Sequence, residues 1–450
     1  MRSSTARFSK TLVAVVVLVA LLGYLYLQRS TEREEQRQKV FPDISGEQIV
    51  ELVIKYPSFE VFCSKEGDEW VIVKGLKKLE ANGRLISRIV DDIKGLEVEK
   101  VIPEDTSDLS GFGLESPRVE VVFRTPLKEH RILVGDESPV GSGVYIRVDD
   151  KRNVFLVDRE FSWNFVGRSF NDFRNKTIIS LDADSVNGLF FRVGETSIEL
   201  ERKGDRWFVK GMPEHVEVDS SKVLNILRTF SNFEIKEFED ENPENLETYG
   251  LENPRAEVVL HTSDKGKIQV LFGNRNENGD YYVKLASDPQ IYSVSDFVFD
   301  ALPKHLSDIR VRRLVNLNVG DVKLLSIKNG DKVVSLVKEG DEWKLKQKNG
   351  AVRVDQTKVS QVISSIVGLE VRDFVSDSPE DLSVYGLDSP AVEVTVSSKP
   401  EKEGITLLFG KHSEDNGVYV KVAGKEPVYT VEDKALSSIT GSLEDISGQR

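Results

Sequence analysis

The stretch at residues 112–117, FGLESP, returns as YGLENP at 249–254 and as YGLDSP at 385–390. The glycine of the second copy follows that of the first by 137 residues, and the third follows the second by 136. A phrase written three times at almost equal intervals marks either three sites or three copies of one domain. The residues around the phrase decide between these interpretations.

Other phrases keep the order and spacing of the quoted one. GDEW at 67–70 returns as GDRW at 204–207 and as GDEW at 340–343. Each match is weak alone, but a common register repeated three times indicates triplication. The unit is far longer than a solenoid repeat, so it is a whole domain. Two further sets share the spacing: KGLEV, SNFEI and VGLEV at 94–98, 231–235 and 367–371, and GVYIRV, DYYVKL and GVYVKV at 143–148, 280–285 and 417–422.

The GDxW phrase predicts a β-hairpin. Its Gly-Asp pair suits a tight turn, and Trp70, Trp207 and Trp343 then begin the returning strand. A residue that is present in all three copies is more easily explained by the fold than by catalysis. We therefore interpret the tryptophans as core residues.

An amphipathic helix follows the hairpin in each copy. Asn82, Asp219 and Asp355 occupy one aligned position, and all three are good N-cap residues. Apolar residues behind them recur at helical spacing, which predicts one buried helix face. These residues are Leu85, Ile86, Ile89, Val90 and Ile93 in the first copy, Val223, Ile226, Leu227 and Phe230 in the second, and Val359, Val362, Ile363 and Ile366 in the third.

The opening phrase itself predicts a helix stop. Its glycine suits a left-handed terminal residue, the leucine after it can fold back on the last turn, and the proline prevents the helix from resuming. Cap-forming residues upstream, Asp105, Asn242 and Ser378, predict where the short helical turn begins. The glycines and prolines of the three copies are Gly113, Gly250, Gly386, Pro117, Pro254 and Pro390.

Alternating apolar residues after each proline predict strands, as in Val119, Val121 and Phe123. Each unit therefore reads as an antiparallel sheet with one main helix, which is an α+β domain. The fold class expected is an N-terminal transmembrane helix followed by three tandem α+β repeats. The predicted repeats span 44–170, 171–306 and 307–442, and a C-terminal tail spans 443–450.

The N-terminus predicts a membrane anchor. Residues 11–27 carry no charge, and the length of this run is at the lower limit for a helix that spans a membrane. The basic tail 1–10 precedes the run. No small-residue cleavage site follows, so an uncleaved signal anchor is expected, with a polar stalk over 28–43. Basic residues stay in the cytoplasm. The expected location is the inner membrane, single-pass, with the C-terminal part periplasmic or extracellular.

The charge balance argues against nucleic acid as a partner. Residues 1–40 carry a net charge of +4, so the remaining residues carry −18 of the total of −14. An acidic exterior part repels nucleic acid and anionic lipid.

No enzyme motif is found in the sequence. It holds no Gly-x-Ser-x-Gly, Walker loop, dinucleotide fingerprint or His-Glu-x-x-His, so we expect no catalytic residue and no cofactor. The single cysteine, Cys63, aligns with Leu200 and Leu336, which predicts a buried packing role.

No metal site is expected either. The five histidines lack ligand spacing. The loop NRNENGDYY at 274–282 imitates the start of a calcium loop, but Leu285 stands where the final glutamate would be required. A hairpin loop is the better interpretation.

The chain resembles a family of bacterial envelope proteins, the domain-of-unknown-function family 4340. The resemblance lies in the signal anchor, the repeated [FY]-G-L-x-[SN]-P, the G-D-x-W turn and the D-[FI]-R phrases at 172–174 and 308–310. It implies N-terminal anchoring and an association with ABC transporter subunits. It implies no catalytic residue.

Two functions remain open at this point. The first is a non-enzymatic, membrane-anchored scaffold that contacts a transport complex or another envelope component. The second is a multivalent polymer- or glycan-binding protein, in which equivalent loops on each repeat bind together. It predicts exposed aromatic side chains on the non-core face of the strand that contains GVYIRV, DYYVKL or GVYVKV. Tyr281 is the candidate binding residue, because Val144 and Val418 stand at its aligned positions.

Overall fold

The computed structural model describes residues 38–42, 44, 49–102, 109–141, 143–347, 350–399 and 403–441. The predicted basic tail, signal anchor and C-terminal tail lie outside these residues, as does the stalk up to residue 37. Among the described residues, no helix has both the length and the apolar character needed to cross a membrane. The part that is described consists of three tandem repeats, each built on one antiparallel sheet, with many strands and few helices.

Repeat 1 forms a nine-stranded sheet. The strands are β1 (Glu51–Lys55), β2 (Glu60–Glu66), β3 (Glu69–Lys74), β4 (Lys77–Glu80), β5 (Lys100–Ile102), β6 (Val119–Arg124), β7 (Glu129–Glu137), β8 (Gly143–Val148) and β9 (Val154–Asp158). The long helix α1 (Gly83–Gly95) lies between β4 and β5 in the chain, and the short helix α2 (Glu160–Trp163) follows β9. The order across the sheet is β4-β3-β2-β1-β6-β7-β8-β9-β5.

Repeat 2 forms an eight-stranded sheet with the same order, apart from one edge strand fewer. Its helices are α3 (Ser220–Ser231) and α4 (Asp296–Asp300). The strands are β10 (Val186–Val193), β11 (Thr196–Lys203), β12 (Arg206–Val209), β13 (Glu237–Asp240), β14 (Ala256–Thr262), β15 (Gly266–Arg275), β16 (Tyr281–Leu285) and β17 (Ile291–Val294).

Repeat 3 returns to nine strands. Its helices are α5 (Gln356–Val367) and α6 (Asp433–Thr440). The strands are β18 (Leu324–Asn329), β19 (Lys332–Glu339), β20 (Glu342–Gln347), β21 (Gly350–Arg353), β22 (Asp373–Ser376), β23 (Val392–Ser397), β24 (Ile405–His412), β25 (Gly417–Val422) and β26 (Val428–Glu432).

The predicted hairpin and helix are present in every repeat. Gly67, Gly204 and Gly340 turn each hairpin with a φ of 62° to 64°. The N-caps also lie where the sequence placed them. The side-chain oxygen of Asn82 accepts from the Leu85 amide at 3.1 Å, and that of Asp355 accepts from the Thr357 amide at 2.9 Å. The apolar helix faces are buried against the sheets.

The quoted phrase forms a Schellman stop in all three repeats. Gly113 has a φ of 66°, and Gly250 and Gly386 have a φ of 67°. In repeat 1 the Leu114 amide donates to the Leu109 carbonyl at 3.1 Å, and the Gly113 amide donates to the Ser110 carbonyl at the same distance. This pair of bonds defines the motif.

The start of the short helical turn differs from the sequence prediction. A single 3₁₀ turn, Glu247–Tyr249 in repeat 2 and Ser383–Tyr385 in repeat 3, precedes the glycine. The capping oxygens belong to Asn245 and Asp381, which accept from the amides two residues further on. The predicted caps Asn242 and Ser378 lie upstream of the turn, because proline at the next position did not initiate a helix. Asp105 lies outside the described residues.

A second glycine, which the sequence analysis did not identify, also recurs in all three repeats. It lies in a strand and leaves room for the backbone of the helix stop. A Cβ atom on Gly135 would lie 2.2 Å from the Phe112 carbonyl oxygen, and one on Gly273 would lie 2.1 Å from that of Tyr249. Gly410 stands equally close to Tyr385. The phrases LVG, LFG and LFG end in these glycines. They could have indicated the contact from the sequence, since glycine in a strand often marks a close backbone approach.

The chain divides into two compact units between Lys176 and Thr177, and repeats 2 and 3 share the second unit. The first repeat therefore extends past its predicted end at residue 170. Phe173 is buried in the core of repeat 1, and its carbonyl accepts from the Asn82 amide at 2.7 Å. The spacing of the repeats gives the length of the repeated unit but not the position within it at which one domain ends and the next begins.

The same shift is found between repeats 2 and 3. Ile309 is buried in the core of repeat 2, where its carbonyl accepts from the Asp219 amide at 2.8 Å. Repeat 3 begins with an isolated bridge between Arg313 and Glu370. The predicted boundary at 306–307 is thus too early.

The predicted stalk over 28–43 also ends too late. Val40 and Phe41 are buried in the core of repeat 1, and the Val40 amide donates to the Leu96 carbonyl at 2.8 Å. In the sequence, the two apolar residues that follow a charged stretch indicate that the folded part begins there.

Candidate functional site

The residues shared by the three copies lie inside the fold. Trp70, Trp207 and Trp343 are buried in the cores of their repeats. Pro117, Pro254 and Pro390 are half-buried at the start of a strand. Together with the glycines of the helix stop, they hold the architecture and offer no exposed surface for a ligand.

The expectation of an exposed aromatic ring at Tyr281 was wrong. Tyr281 is only 7% exposed, and its ring stacks on Phe299 with centroids 4.2 Å apart. Val144 and Val418 at the aligned positions are fully buried, so this position faces the core in all three repeats. The aligned valines indicate a core position, and the larger ring of Tyr281 fits there by stacking on Phe299.

Cys63 is buried, as its aligned leucines predicted. Burial raises the pKa of its thiol to about 12. A thiol that stays protonated in the core is a poor nucleophile.

The loop at 274–282 is a hairpin loop, as predicted. The Asn276 side chain accepts from the amides of Asn278 and Asp280, both at 3.0 Å, and so closes the turn. In the described part of the chain, no group of three or more His, Cys, Asp and Glu residues could hold a metal ion.

Repeat 1 contains a groove between the second half of α1 and the segment after β9. Its volume is about 460 Å³. Its apolar part consists of Leu96, Phe161 and Trp163. The polar residues that line it are Arg88, Asp91, Asp92, Glu97, Glu99, Asp158, Glu160 and Asn164.

Trp163 is held outward by the residues on either side of it. Phe161 and Phe165 are four residues apart, so they share one face of the turn. Both are buried, with ring centroids 5.3 Å apart in a T-shaped pair. Trp163 lies between them in sequence and on the opposite face, where its side chain is 58% exposed. The core therefore fixes an exposed indole at the groove.

Buried polar contacts hold the segment that carries Trp163. The Asn164 side chain is buried and donates to the Asp92 carboxylate of α1. The Tyr56 hydroxyl donates to the Phe165 carbonyl at 2.8 Å, and burial raises the pKa of this hydroxyl. These bonds join the segment to both the helix and the sheet, so the groove has two fixed walls.

The groove is acidic. Six carboxylates line it, and Arg88 is the one basic residue among its lining residues. Within the described ranges, no ion pair is found for Asp91, Glu99 or Glu160. Uncompensated like charges repel one another, and a cation relieves that repulsion.

A second charged depression lies on the open face of the same sheet. Its charges, unlike those of the groove, are paired with one another. Glu120 accepts from Lys55 at 3.2 Å and from Arg131 at 2.9 Å. Partial burial pushes the pKa of Glu120 upward, but the hydrogen bonds from Arg131 and Lys55 outweigh it and lower that pKa. These charges are neutralised within the fold, so they leave nothing for a ligand.

Repeat 2 has a groove at the equivalent place, of about 480 Å³. Asn225, Thr229, Asp300 and Ala301 line it, and they align with Arg88, Asp92, Trp163 and Asn164 of repeat 1. In repeat 3 the longer helix α6 occupies this part of the fold, with Ile439 buried in the core.

The charge at this place differs between the copies. Asp91, Glu99 and Glu160 of repeat 1 are not retained in the other two repeats. They are replaced by Arg228, Lys236 and Phe297 in repeat 2, and by Ser364, Arg372 and Lys434 in repeat 3. Trp163 is likewise replaced, by Asp300 and Ser437.

Comparisons with known proteins give one family. A family model described as a domain of unknown function (DUF4340) matches the chain three times, at residues 70–240, 212–378 and 347–448. No curated protein matches the chain.

Two solved structures align at low similarity, both from Pseudomonas aeruginosa. One is a DNA polymerase sliding clamp with 8% identity and a TM-score of 0.16, aligned over 86% of this chain and 91% of that one. The other is a DnaN sliding clamp (DNA polymerase III subunit beta) bound to griselimycin, with 8% identity and a TM-score of 0.13, aligned over 87% and 92% of the two chains. At these TM-scores the likenesses support no inference about this chain.

Proposed function

This chain belongs to the DUF4340 family, and from that premise we propose that it is a non-enzymatic, membrane-anchored scaffold. In this proposal residues 11–27 span the inner membrane once, and the three repeats face the periplasm or the exterior. The repeats contact a partner protein of the envelope, and subunits of an ABC-type transport complex are the proposed partner.

One observation carries the proposal. The three repeats retain the same buried skeleton, but the surface beside the long helix, which is a groove in repeats 1 and 2, has a different chemistry in each copy. Duplicated domains that keep a core and diverge at one surface are expected of a scaffold, because each copy can then make contacts that the others do not. Residues that line a catalytic centre would not be spread over three unlike surfaces.

A multivalent glycan-binding protein is the second candidate. The exposed ring of Trp163, beside carboxylates and an amide, favours it, since aromatic faces and hydrogen-bonding side chains bind sugars. Multivalency, however, requires equivalent sites on a common spacing. Asp300 and Ser437 at the aligned positions offer no aromatic face, which makes this candidate weaker.

Co-purification of the full chain tests the scaffold role. The chain is extracted from its own membranes in a mild detergent, and the proteins that remain bound are identified. An unrelated single-span protein with the same affinity tag is the control. Recovery of transporter subunits with this chain alone supports the proposal, and a chain that purifies without any envelope protein contradicts it.

The exterior location has a separate test. Cys63 is the single cysteine and is buried, so a cysteine placed at the fully exposed Leu76 is the one thiol open to a reagent. A membrane-impermeant maleimide is expected to label Leu76→Cys, and not the parent chain, in cells whose inner membrane is intact. Labelling only after the inner membrane is broken would place the repeats inside the cell.

A further inference from the structure

We propose that the groove of repeat 1 binds a peptide segment that carries lysine or arginine side chains, contributed by the partner protein. The proposal rests on the scaffold function above and names the chemistry of the segment that the scaffold holds. Trp163 lines the site together with six carboxylates, which lie on α1, directly after it and around the end of β9.

Charge decides the class of ligand. Six carboxylates face one arginine around a volume of about 460 Å³, which suits the side chains of a short peptide. They are spread along two segments of chain, and in the described residues no three of them form a metal site. A ligand that neutralises such an arrangement carries several positive charges at a distance from one another.

The exposed indole is an independent indication of the same ligand. Trp163 is 58% exposed because Phe161 and Phe165 occupy the core side of its turn. The face of an indole attracts an ammonium or guanidinium group, and tryptophan is the best side chain for this interaction. The aromatic face and the carboxylates that line the same groove therefore select the same cationic groups.

The other two repeats act as an internal comparison. They share the fold, and in both of them the positions of Glu99 and Glu160 hold a basic or aromatic residue. Glu97 is a glutamate in all three copies, so it belongs to the shared fold. If Asp91, Glu99 and Glu160 served the fold, all three copies would need them as well. Their restriction to repeat 1, together with Trp163, indicates that they serve a ligand of that repeat alone.

Intrinsic fluorescence can report on this site selectively. The chain has four tryptophans, and three of them, Trp70, Trp207 and Trp343, are buried. Trp163 is therefore the one that acrylamide quenches readily. The Trp163→Phe variant should lose this readily quenched fluorescence. That loss, measured before any ligand is added, confirms that the signal comes from Trp163.

The binding test uses the full chain in detergent and a fluorescein-labelled peptide in which lysine and arginine alternate with glycine and serine. We expect saturable binding that shields Trp163 from acrylamide and weakens as salt is added. Asp91→Asn with Glu160→Gln should weaken binding about five-fold. Trp163→Ala should weaken it about three-fold. The matched control, Glu69→Gln with Glu115→Gln, removes two exposed carboxylates of repeat 1 outside the groove and should change nothing.

Three outcomes would overturn the proposal. In the first, the groove variants bind the peptide as well as the control does. In the second, a peptide with glutamate in place of the basic residues binds equally. In the third, the neutral sugar maltohexaose shields Trp163 and the basic peptide does not. Because the peptide is added directly, these results do not depend on co-purification. A partner that is still recovered with the groove variants would refute the groove and leave the scaffold role standing.

Discussion

At the scale of single residues, two glycines shape the helix stop of repeat 1 and one tryptophan shapes its groove. Gly113 adopts the left-handed conformation of the helix stop, and Gly135 leaves room for the carbonyl of Phe112. The left-handed glycine could be predicted from the local phrase. Gly135 could not be assigned, because its reason is an atom more than twenty residues away in the chain. Trp163 was missed for a similar cause, since its exposure depends on the burial of Phe161 and Phe165.

Gly135→Ala is expected to destabilise repeat 1 by about 1–3 kcal/mol, because the added Cβ would meet the Phe112 carbonyl. Hydrogen exchange in peptides from β6 and β7 measures the effect. The control is Gly83→Ala, where a Cβ meets nothing within 4 Å. Equal exchange in the two variants would show that the close approach does not matter.

Cys63 gives the stability of repeat 1 a dependence on alkaline pH. The folded thiol has a pKa of about 12, against an ordinary value of 9.0 in the unfolded chain. Between these values the unfolded chain has released the proton and the folded chain has not, so the free energy of unfolding falls as pH rises. Below pH 9 the contribution of the protonated thiol to the free energy of unfolding is fully present.

Cys63→Val removes this contribution. Urea unfolding at a series of alkaline pH values should therefore show a less steep loss of stability in the variant than in the parent chain. Parallel pH dependences would mean that the thiol ionises equally well in the folded protein.

At the scale of elements, local signals were sufficient for the long helices and the hairpin turns, but not for the start of the short helical turn before each helix stop. The caps at Asn82 and Asp355 and the apolar helix faces were predicted from adjacent residues, and the described structure confirms them. The ends of the repeats were not predicted correctly, because Phe173 and Ile309 fill the core of the preceding repeat. The groove could not be foreseen either, since it joins α1 to a segment that lies far along the chain.

The cap of α5 provides a prediction at this scale. Asp355→Ala removes the acceptor for two amides and should cost about 1 kcal/mol of stability. Asp355→Asn keeps an oxygen acceptor and should cost much less. Exchange rates of the first-turn amides of α5 distinguish the two variants. The cap would have no role if alanine and asparagine behaved alike.

At the scale of the whole molecule, a buried arginine is one of the contacts that join repeats 2 and 3 within the second unit. Arg310, from the end of repeat 2, contacts Asp377 of repeat 3 through both carboxylate oxygens, at 3.2 Å and 2.5 Å. Its guanidinium also lies 4.0 Å from the ring centre of Phe374. A planar, doubly bonded arginine fixes orientation as well as distance. The joint between these two repeats is therefore expected to be stiff.

Asp377→Ala should loosen this joint, at a cost of about 1.5–3 kcal/mol, because it leaves a buried guanidinium without its carboxylate. Separate urea transitions for repeats 2 and 3 are expected where the parent chain shows one. Glu393→Gln, which breaks an exposed pair with Lys328, is the matched control and should cost less than about 1 kcal/mol. A single transition in both variants would argue against the joint.

The central claim is that the three repeats are one fold with different surfaces, and that repeat 1 holds the partner. The most direct measurement places the photoreactive residue benzoylphenylalanine at position 163 of the full chain, and in separate chains at the aligned positions 300 and 437. Membranes of the native cell are then irradiated. We predict one protein adduct at position 163 that is absent at positions 300 and 437. The same adducts at all three positions, or none at position 163, would contradict the account.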